Sequence, residues 1–276
     1  MNATSVNKGQ LFRDLHERPG IFAVPNAWDA GSAKLMESLG FEGLATTSGG
    51  LAFSLGKPDA HAAVTREESL ANVRSIVGAT ALPVSADLEN GYGDAPEECA
   101  ATILAAAFAG LAGGSIEDAT GRPGDPIYSF DLSVESVRAA VAAVRSLPFP
   151  FVLTARAENL IYGRIDLPDT IKRLQAYADA GAEVLFAPGL KTREEIRTVV
   201  RAVAPKPVNI IMGIGSDLTM AELEDLGVKR VSLGSSMVRA AYSASYRAAE
   251  EIQTKGTFEF SKGILSYATF NDLFSR

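Results

Sequence analysis

The sequence predicts an α/β protein of the (β/α)8 TIM barrel class, and three observations carry that prediction. A short apolar run followed by a stretch of helical periodicity recurs eight times along the chain. Its 276 residues, 47% of them hydrophobic, match the ~250 residues that such a barrel needs. The first run continues into Pro25-Asn26-Ala27-Trp28-Asp29, so the glycine-rich phosphate turn expected of an open doubly wound sheet is missing. Alternation of strand and helix returns the chain to the same end of the sheet each time, which makes the strands parallel.

Taken in order, the expected strands are Ile21 to Pro25, Gly43 to Thr46, Val84 to Asp87, Gly114 to Glu117, Phe151 to Ala155, Val184 to Ala187, Val208 to Met212 and Arg230 to Leu233. The stretches between them place apolar residues three and four apart, as in Leu70, Val73, Ile76 and Val77, or Val134, Val137, Val141 and Val144. Pro96 with Glu97 and Glu98 opens one helix, Asp131 and Ser133 precede another, and Thr192 with Glu195 forms a capping box. The longest nearly apolar run, Ala100 to Gly114, is too short to cross a bilayer and reads as a buried helix. No linker, charge block or low-complexity tract divides the chain, so residues 1–276 are expected to form one domain, with the barrel in about the first 255 residues.

Composition narrows the function. A net charge of -7 and a pI near 5.0 argue against nucleic acid as a partner. The single cysteine, Cys99, excludes an internal disulfide framework and a multi-thiolate zinc site; on its helix it reads as an inert buried thiol. The polar N-terminus lacks a secretory pattern, no membrane segment is expected, and a cytoplasmic location follows as the expectation.

In such a barrel the active site lies where the strands end, so the polar residues closing each run matter most. The third run ends Asp87-Leu88-Glu89, the fourth Glu117-Asp118, and the fifth Arg156-Ala157-Glu158. Asp87 and Glu89 are two apart and point the same way on a strand, and Glu117 approaches from the neighbouring strand. Carboxylates that close repel one another unless a cation neutralises them, and hard oxygen donors suit Mg2+ or Mn2+. The alternative is that they are solvated loop carboxylates or salt-bridge partners of Arg156 and Arg122. Asp118 supports this cluster from behind or caps the next loop. Arg156 suits bidentate capture of a carboxylate or phosphate, or serves as the counter-ion of Glu117 or Glu158.

The second run closes on Thr47-Ser48-Gly49-Gly50, where glycine lets backbone N–H groups approach a ligand. Asp59, in the polar loop that follows, reaches the site or caps a helix. Trp28 roofs the pocket or packs. Neither His16 nor His61 is expected to catalyse.

These pieces, in this order, resemble the isocitrate lyase and phosphoenolpyruvate mutase superfamily along nearly the whole chain. The matching segments are Asn26-Ala27 with Ser32-Ala33, Ser48-Gly49-Gly50 with Leu55-Gly56-Lys57-Pro58-Asp59, Asp87 to Gly93, Gly114 to Asp118, and Ala155 to Glu158. Glu89 stands where the family pattern has a second aspartate. The resemblance implies a barrel whose last helix is swapped with a partner subunit, in a dimer or in a tetramer of two swapped dimers. The C-terminal segment 256–276, with Phe258, Phe260, Leu265, Tyr267, Phe270 and Phe274, is apolar enough to be that element. It also implies a small 2-oxo acid or its enolate held at Mg2+, with Asp87, Glu89 and Glu117 around the ion, largely through water. Ser48 and Gly49, with Thr47 as an alternate, would bind the oxo-acid end, and Asp87 and Arg156 would line its site.

Departures from the family pattern narrow this further. The Cys-bearing lid of the isocitrate and methylisocitrate lyases is replaced here by Ala119-Thr120-Gly121-Arg122-Pro123-Gly124-Asp125-Pro126. Pro188 and Met212 fall near the positions where those lyases place a glutamate and an asparagine for the second carboxylate. The 121–129 loop, carrying Arg122, is expected to be the specificity lid. The expected activity is therefore Mg2+-dependent carbon–carbon cleavage of a small 2-oxo or 2-hydroxy (di)carboxylic acid through an enolate of a pyruvate-like product. Candidate catalytic groups are Arg156, Asp59 and Arg122. Phosphonopyruvate or phosphoenolpyruvate chemistry at a P–C bond, and 2-oxo acid binding with little turnover, stand as alternatives. A phosphate-gripping aldolase using Gly213-Ile214-Gly215 and Gly234-Ser235-Ser236 ranks behind them, since no lysine closes a strand.

Overall fold

A computed structural model of the chain describes residues 3–59, 62–213 and 217–275. His61, Ile214 and Gly215 lie outside the described residues. Among the described residues nine strand segments pair in parallel in the order β1-β9-β8-β7-β6-β5-β4-β3-β2. These are β1 (Phe22–Val24), β2 (Asn26–Ala27), β3 (Leu44–Thr46), β4 (Val84–Asp87), β5 (Gly113–Glu117), β6 (Val152–Arg156), β7 (Val184–Phe186), β8 (Val208–Ile211) and β9 (Arg230–Ser232).

β1 and β2 are two halves of one stave. Pro25 separates them, β1 pairs with β9 and β2 with β3, and the ring of eight staves closes. Proline has no N–H to give, but its carbonyl still accepts from Ala45 N at 3.0 Å. Asn26 completes the seam. Its amide donates to Thr46 O at 2.6 Å, and its Oδ1 accepts from the Leu233 and Gly234 amides at 2.7 and 2.9 Å.

Every expected run forms a stave, and the first reaches beyond Pro25 to Ala27. The Ala100 to Gly114 run is not one helix. Its helix, Pro96–Phe108, ends at the Ala109-Gly110 turn, and from Gly113 onward the run already belongs to β5. The helix after β5, Phe130–Arg145, is capped by Ser129, whose hydroxyl accepts from Leu132 N; Ser133 is buried one turn further on. The Thr192 and Glu195 capping box forms as expected.

The interior of the barrel is layered. At its lower end Phe22, Val24, Val152 and Val184 meet Phe12 and Leu15 of the first helix, α1 (Ala3–Glu17), which plugs the opening. Above that apolar layer the inward positions turn polar, with Ser85, Ser115, Thr154, Asn209, Arg230 and Ser232. The outward positions, such as Leu153, Ala155, Ile210 and Val231, pack under the helices in one large apolar shell.

After β9 the chain runs through α10 (Ser236–Lys255), a 3-10 turn (Glu259–Gly263) and α11 (Tyr267–Phe274). Only Val238 of α10 is buried, and nothing in the last two elements is. Lys34 of the helix Ala30–Ser38 donates to Phe274 O at 2.9 Å, yet Phe258 and Tyr267 remain 63% and 85% exposed.

Candidate active site

Three neighbouring staves end in Asp87, Glu117 and Arg156, and the register sets Glu117 directly beside Arg156. The guanidinium joins the acids. Its Nη1 lies 2.9 Å from Asp87 Oδ1 and 3.1 Å from Glu117 Oε2, while Nε and Nη2 each lie 2.9 Å from Glu158 Oε1. Its Cζ lies over the Phe186 ring, 5.0 Å from the centroid, a cation–π contact that helps to position the fork. Arg156 is thus both the counter-ion of the acids and a group facing the cavity.

Ser48 opens the short helix Ser48–Ser54 and turns two donors on the far oxygen of Asp87, its hydroxyl at 2.9 Å and its amide at 3.3 Å. Thr47 caps that helix by accepting from Gly50 N. Gly49 lets Asp59 come close, since a Cβ there would lie 2.6 Å from Asp59 Oδ2 and push that side chain aside. Asp59 lines both cavities at the mouth.

Two cavities meet here and share Ser48, Asp59 and Arg156. An upper one of about 140 Å³ lies among Glu89, Glu117, Glu158, Tyr162 and the Thr120-Gly121 backbone. An inner one of about 180 Å³ runs down the barrel axis past Asp87 to Arg230.

The electrostatics are those of crowded, buried acids. Burial, then the charges of Asp87 and Asp59, push Glu89 up to about 7 against the pull of Arg156. Burial likewise pushes Glu158 up to about 7 and raises Glu117 well above the usual carboxylate range, with Arg156 opposing in both cases. Burial pulls Arg156 down, but Glu117, Glu158 and Asp87 outweigh it and hold the guanidinium well above its ordinary value. Asp59, Asp87, Glu89, Glu117 and Glu158 together face one guanidinium at this end of the cavity. Such an excess of hard oxygen donors fits a divalent cation. Among the described residues no three acidic, histidine or cysteine side chains are arranged to grip a metal directly. An ion would therefore be held by one or two carboxylates and by water, as Mg2+ commonly is.

The backbone of the acidic loop is unusual. Glu89 and Tyr92 have φ of 48° and 61°, a left-handed conformation that non-glycine residues adopt at a cost. Behind the cluster, buried Asp118 accepts from Glu158 N at 2.8 Å, Arg173 Nη1 at 2.9 Å and the Tyr177 hydroxyl at 2.7 Å. It sets the position of Glu158 and does not itself line the cavity.

Other expected site residues lie elsewhere. Arg122 is half-exposed, pairs with both oxygens of Asp94 at 2.8 Å, and does not line either cavity. The same Asp94 accepts from the Tyr128 hydroxyl, which receives Asn90 Nδ2 at 2.9 Å, so the loop is fastened beside the mouth. Trp28 packs against the outer apolar shell and its carbonyl holds Asn72; it is a packing residue and no roof. Met212 also joins the outer shell, while Asn209 and Ile211 are the inward residues of β8. The Leu233 and Gly234 amides are turned to Asn26, which leaves the loop after β9 poorly suited to cradle phosphate. Cys99 is buried, and burial pushes its thiol up to about 12.

Sequence reasoning passed over Arg230 and Asn209. Their signal is a charged and an amide residue at inward positions of otherwise apolar runs, with Ser232 two residues beyond Arg230 on the same face.

Comparison with known proteins agrees with this geometry. The family described as phosphoenolpyruvate phosphomutase matches residues 12–253. A crystallised Burkholderia cenocepacia J2315 protein, whose own lyase or mutase activity is provisional, is 53% identical, with a TM-score of 0.96 over 99% of this chain and 97% of that one. The 2-methylisocitrate lyase of Escherichia coli K12 is 31% identical over 90% of this chain and 86% of its own. A 2,3-dimethylmalate lyase of the phosphoenolpyruvate mutase/isocitrate lyase superfamily superposes with a TM-score of 0.87 at 27% identity, over 97% and 94% of the two chains. The chain belongs to the phosphoenolpyruvate mutase family of that superfamily and is an enzyme.

Proposed function

We propose that this enzyme is a Mg2+-dependent lyase that breaks a carbon–carbon bond in a small 2-oxo or 2-hydroxy dicarboxylic acid. The observation that carries the reading is the Arg156 fork set among Asp87, Glu117 and Glu158, with Ser48 holding Asp87 in the wall of the same small cavity. Relatives named as 2-methylisocitrate and 2,3-dimethylmalate lyases support it. Asp87, Glu89 and Glu117 would surround the ion, one or two of them directly and the rest through water, with Mn2+ as a substitute, and when bound it would supply electrophilic polarisation of the substrate oxygen.

The chain's own groups do the rest. Ser48, Gly49 and Arg156 orient the acid and face the oxygen on which negative charge gathers as the bond breaks. The bonding pair stays beside a carbonyl or carboxylate as enolate-type charge and is then protonated. In a hydroxy acid the hydroxyl proton leaves as its carbon becomes the keto group. Asp59, above Gly49 and at the edge of both cavities, is the group placed to carry one of these protons.

The test is release of a 2-oxo acid from oxaloacetate and a series of alkylmalates, with Mg2+ and with chelator. Turnover that needs the ion is expected, and silence across the panel overturns the reading. The match to the phosphomutase family favours P–C chemistry as the second reading, and phosphorus NMR of phosphonopyruvate decides it. Little turnover beside tight 2-oxo acid binding in calorimetry would favour a binding role.

We also propose that the C-terminal segment from residue 256 onward docks on a partner copy, in a dimer or a dimer of swapped dimers, because Phe258, Ile264, Leu265 and Tyr267 along it are each exposed. Light scattering should give a multimer for the full chain. A monomer would remove this proposal. Among the described residues no helix is long and apolar enough to cross a membrane.

A further inference from the structure

At the floor of the inner cavity lies a guanidinium with no acid beside it among the described residues. Arg230 is 5% exposed, and its described partners are Asn209 Oδ1 at 2.8 Å, Thr154 Oγ1 at 2.9 Å and His16 Nε2 at 3.3 Å. His16 Nδ1 faces the Phe12 carbonyl at 2.7 Å and so carries the proton, which leaves Nε2 as a lone-pair acceptor. All three partners are neutral. They occupy three of the five guanidinium N–H groups and cancel none of its charge.

The molecule treats its other buried arginines differently, for Arg156 has three carboxylates and Arg173 has Asp118 and Asp169. An uncompensated buried cation calls for an explanation, since burial penalises a charge unless it is paired. Arg230 lines the same cavity as Ser48 and Arg156, and Ser85, Ser115 and Ser232 add polar groups to its wall. Thr154, which Arg230 touches, is two residues below Arg156 on β6. One passage thus has a guanidinium at each end, and only the upper one is already neutralised.

We propose that Arg230 is a specificity-determining residue that receives the second carboxylate of the substrate, so that the enzyme selects dicarboxylic over monocarboxylic acids. This rests on the proposed reading of the mouth as the oxo-acid end. The incoming carboxylate supplies the missing counter-charge, and Asn209 and Thr154 fix the guanidinium in the cavity wall.

The experiment is calorimetric binding of oxaloacetate against 2-oxobutyrate, with turnover followed in parallel, for the native enzyme, Arg230→Lys and Arg230→Met. The dicarboxylate is expected to bind the native enzyme about tenfold or more tighter. Arg230→Met should abolish that preference while changing 2-oxobutyrate affinity less than about threefold, and Arg230→Lys should keep part of it. A folded Arg230→Met enzyme that retains the preference overturns the proposal. Should that variant not fold, a crystal of the native enzyme soaked in malonate decides: a carboxylate on Arg230 supports the assignment, and malonate bound only at the mouth overturns it. Preference without turnover supports the floor assignment while the lyase reading falls. Turnover without Arg230-dependent preference does the reverse.

Discussion

Two guanidiniums share the interior of this barrel and live under opposite conditions. Arg156, at the mouth, is surrounded by more negative charge than it can neutralise; Arg230, beneath it, touches only neutral acceptors. Burial pulls both down, but the acids around Arg156 outweigh it and hold that guanidinium well above its ordinary value, while Arg230, with no such acids, falls to about 9. The contrast separates two uses of a buried charge. Arg156 organises groups already present, whereas Arg230 stands ready for one that arrives.

The sharpest way to break this comparison is Arg156→Met. It strands Asp87, Glu117 and Glu158 together, and breaking such a buried network should cost about 3–5 kcal/mol in urea unfolding. The same variant should lose about a hundredfold to a thousandfold in kcat/KM as the fork that faces the substrate disappears. A folded variant of near-native stability would show that the acids do not depend on Arg156.

A smaller effect tests the neutral surroundings of Arg230 through His16. Burial and then the Arg230 charge push His16 down to about 3, while the unfolded chain titrates near the ordinary value of 6.5. A depressed histidine binds its proton more readily when unfolded, so the stability it protects is present above about pH 6.5 and is lost as pH falls toward 3. From pH 6.5 to 5 the loss should be about 2 kcal/mol. Urea melts should show this slope in the native enzyme and a shallower one in His16→Gln; equal slopes would mean that His16 is charged in the fold.

Arg230→Met comes next. Removing an unpaired buried charge relieves a penalty, but it leaves Asn209 and Thr154 without their donor at about 1 kcal/mol each. The opposing effects should hold the net change below about 2 kcal/mol, in contrast to Arg156→Met. A loss as large as that of Arg156→Met would mark Arg230 as a structural plug. The smallest effect is expected at Arg122→Ala, whose exposed pair with Asp94 is screened by water, so thermal melting should not move. A substantial fall in kcat would return Arg122 to the chemistry.

Much of this was legible in the amino-acid order, for a physical reason. Each stave of the barrel is a local run, and its last polar residue marks the mouth, so Asp87, Glu117 and Arg156 could be placed together before any coordinates. What stayed hidden depends on distant chain. Whether Trp28 turns to the cavity or to the helices is decided by packing around Gly50 and Asn72, and Arg122 is claimed by Asp94, 28 residues away. Arg230 opens a strand of three residues, where the spacing to Ser232 is a slight hint of its face and nothing local names its partners. Its partners come from the chain's first helix and from β6.

The plug formed by Phe12, Leu15 and His16 has a consequence for traffic through the enzyme. With the lower end sealed by side chains that are nearly inaccessible, everything that enters the barrel must leave by the way it came. On the proposed lyase reading, two fragments made in such a dead end would depart in sequence. The piece nearer the mouth goes first, and the deeper piece cannot be released until its neighbour has cleared the passage.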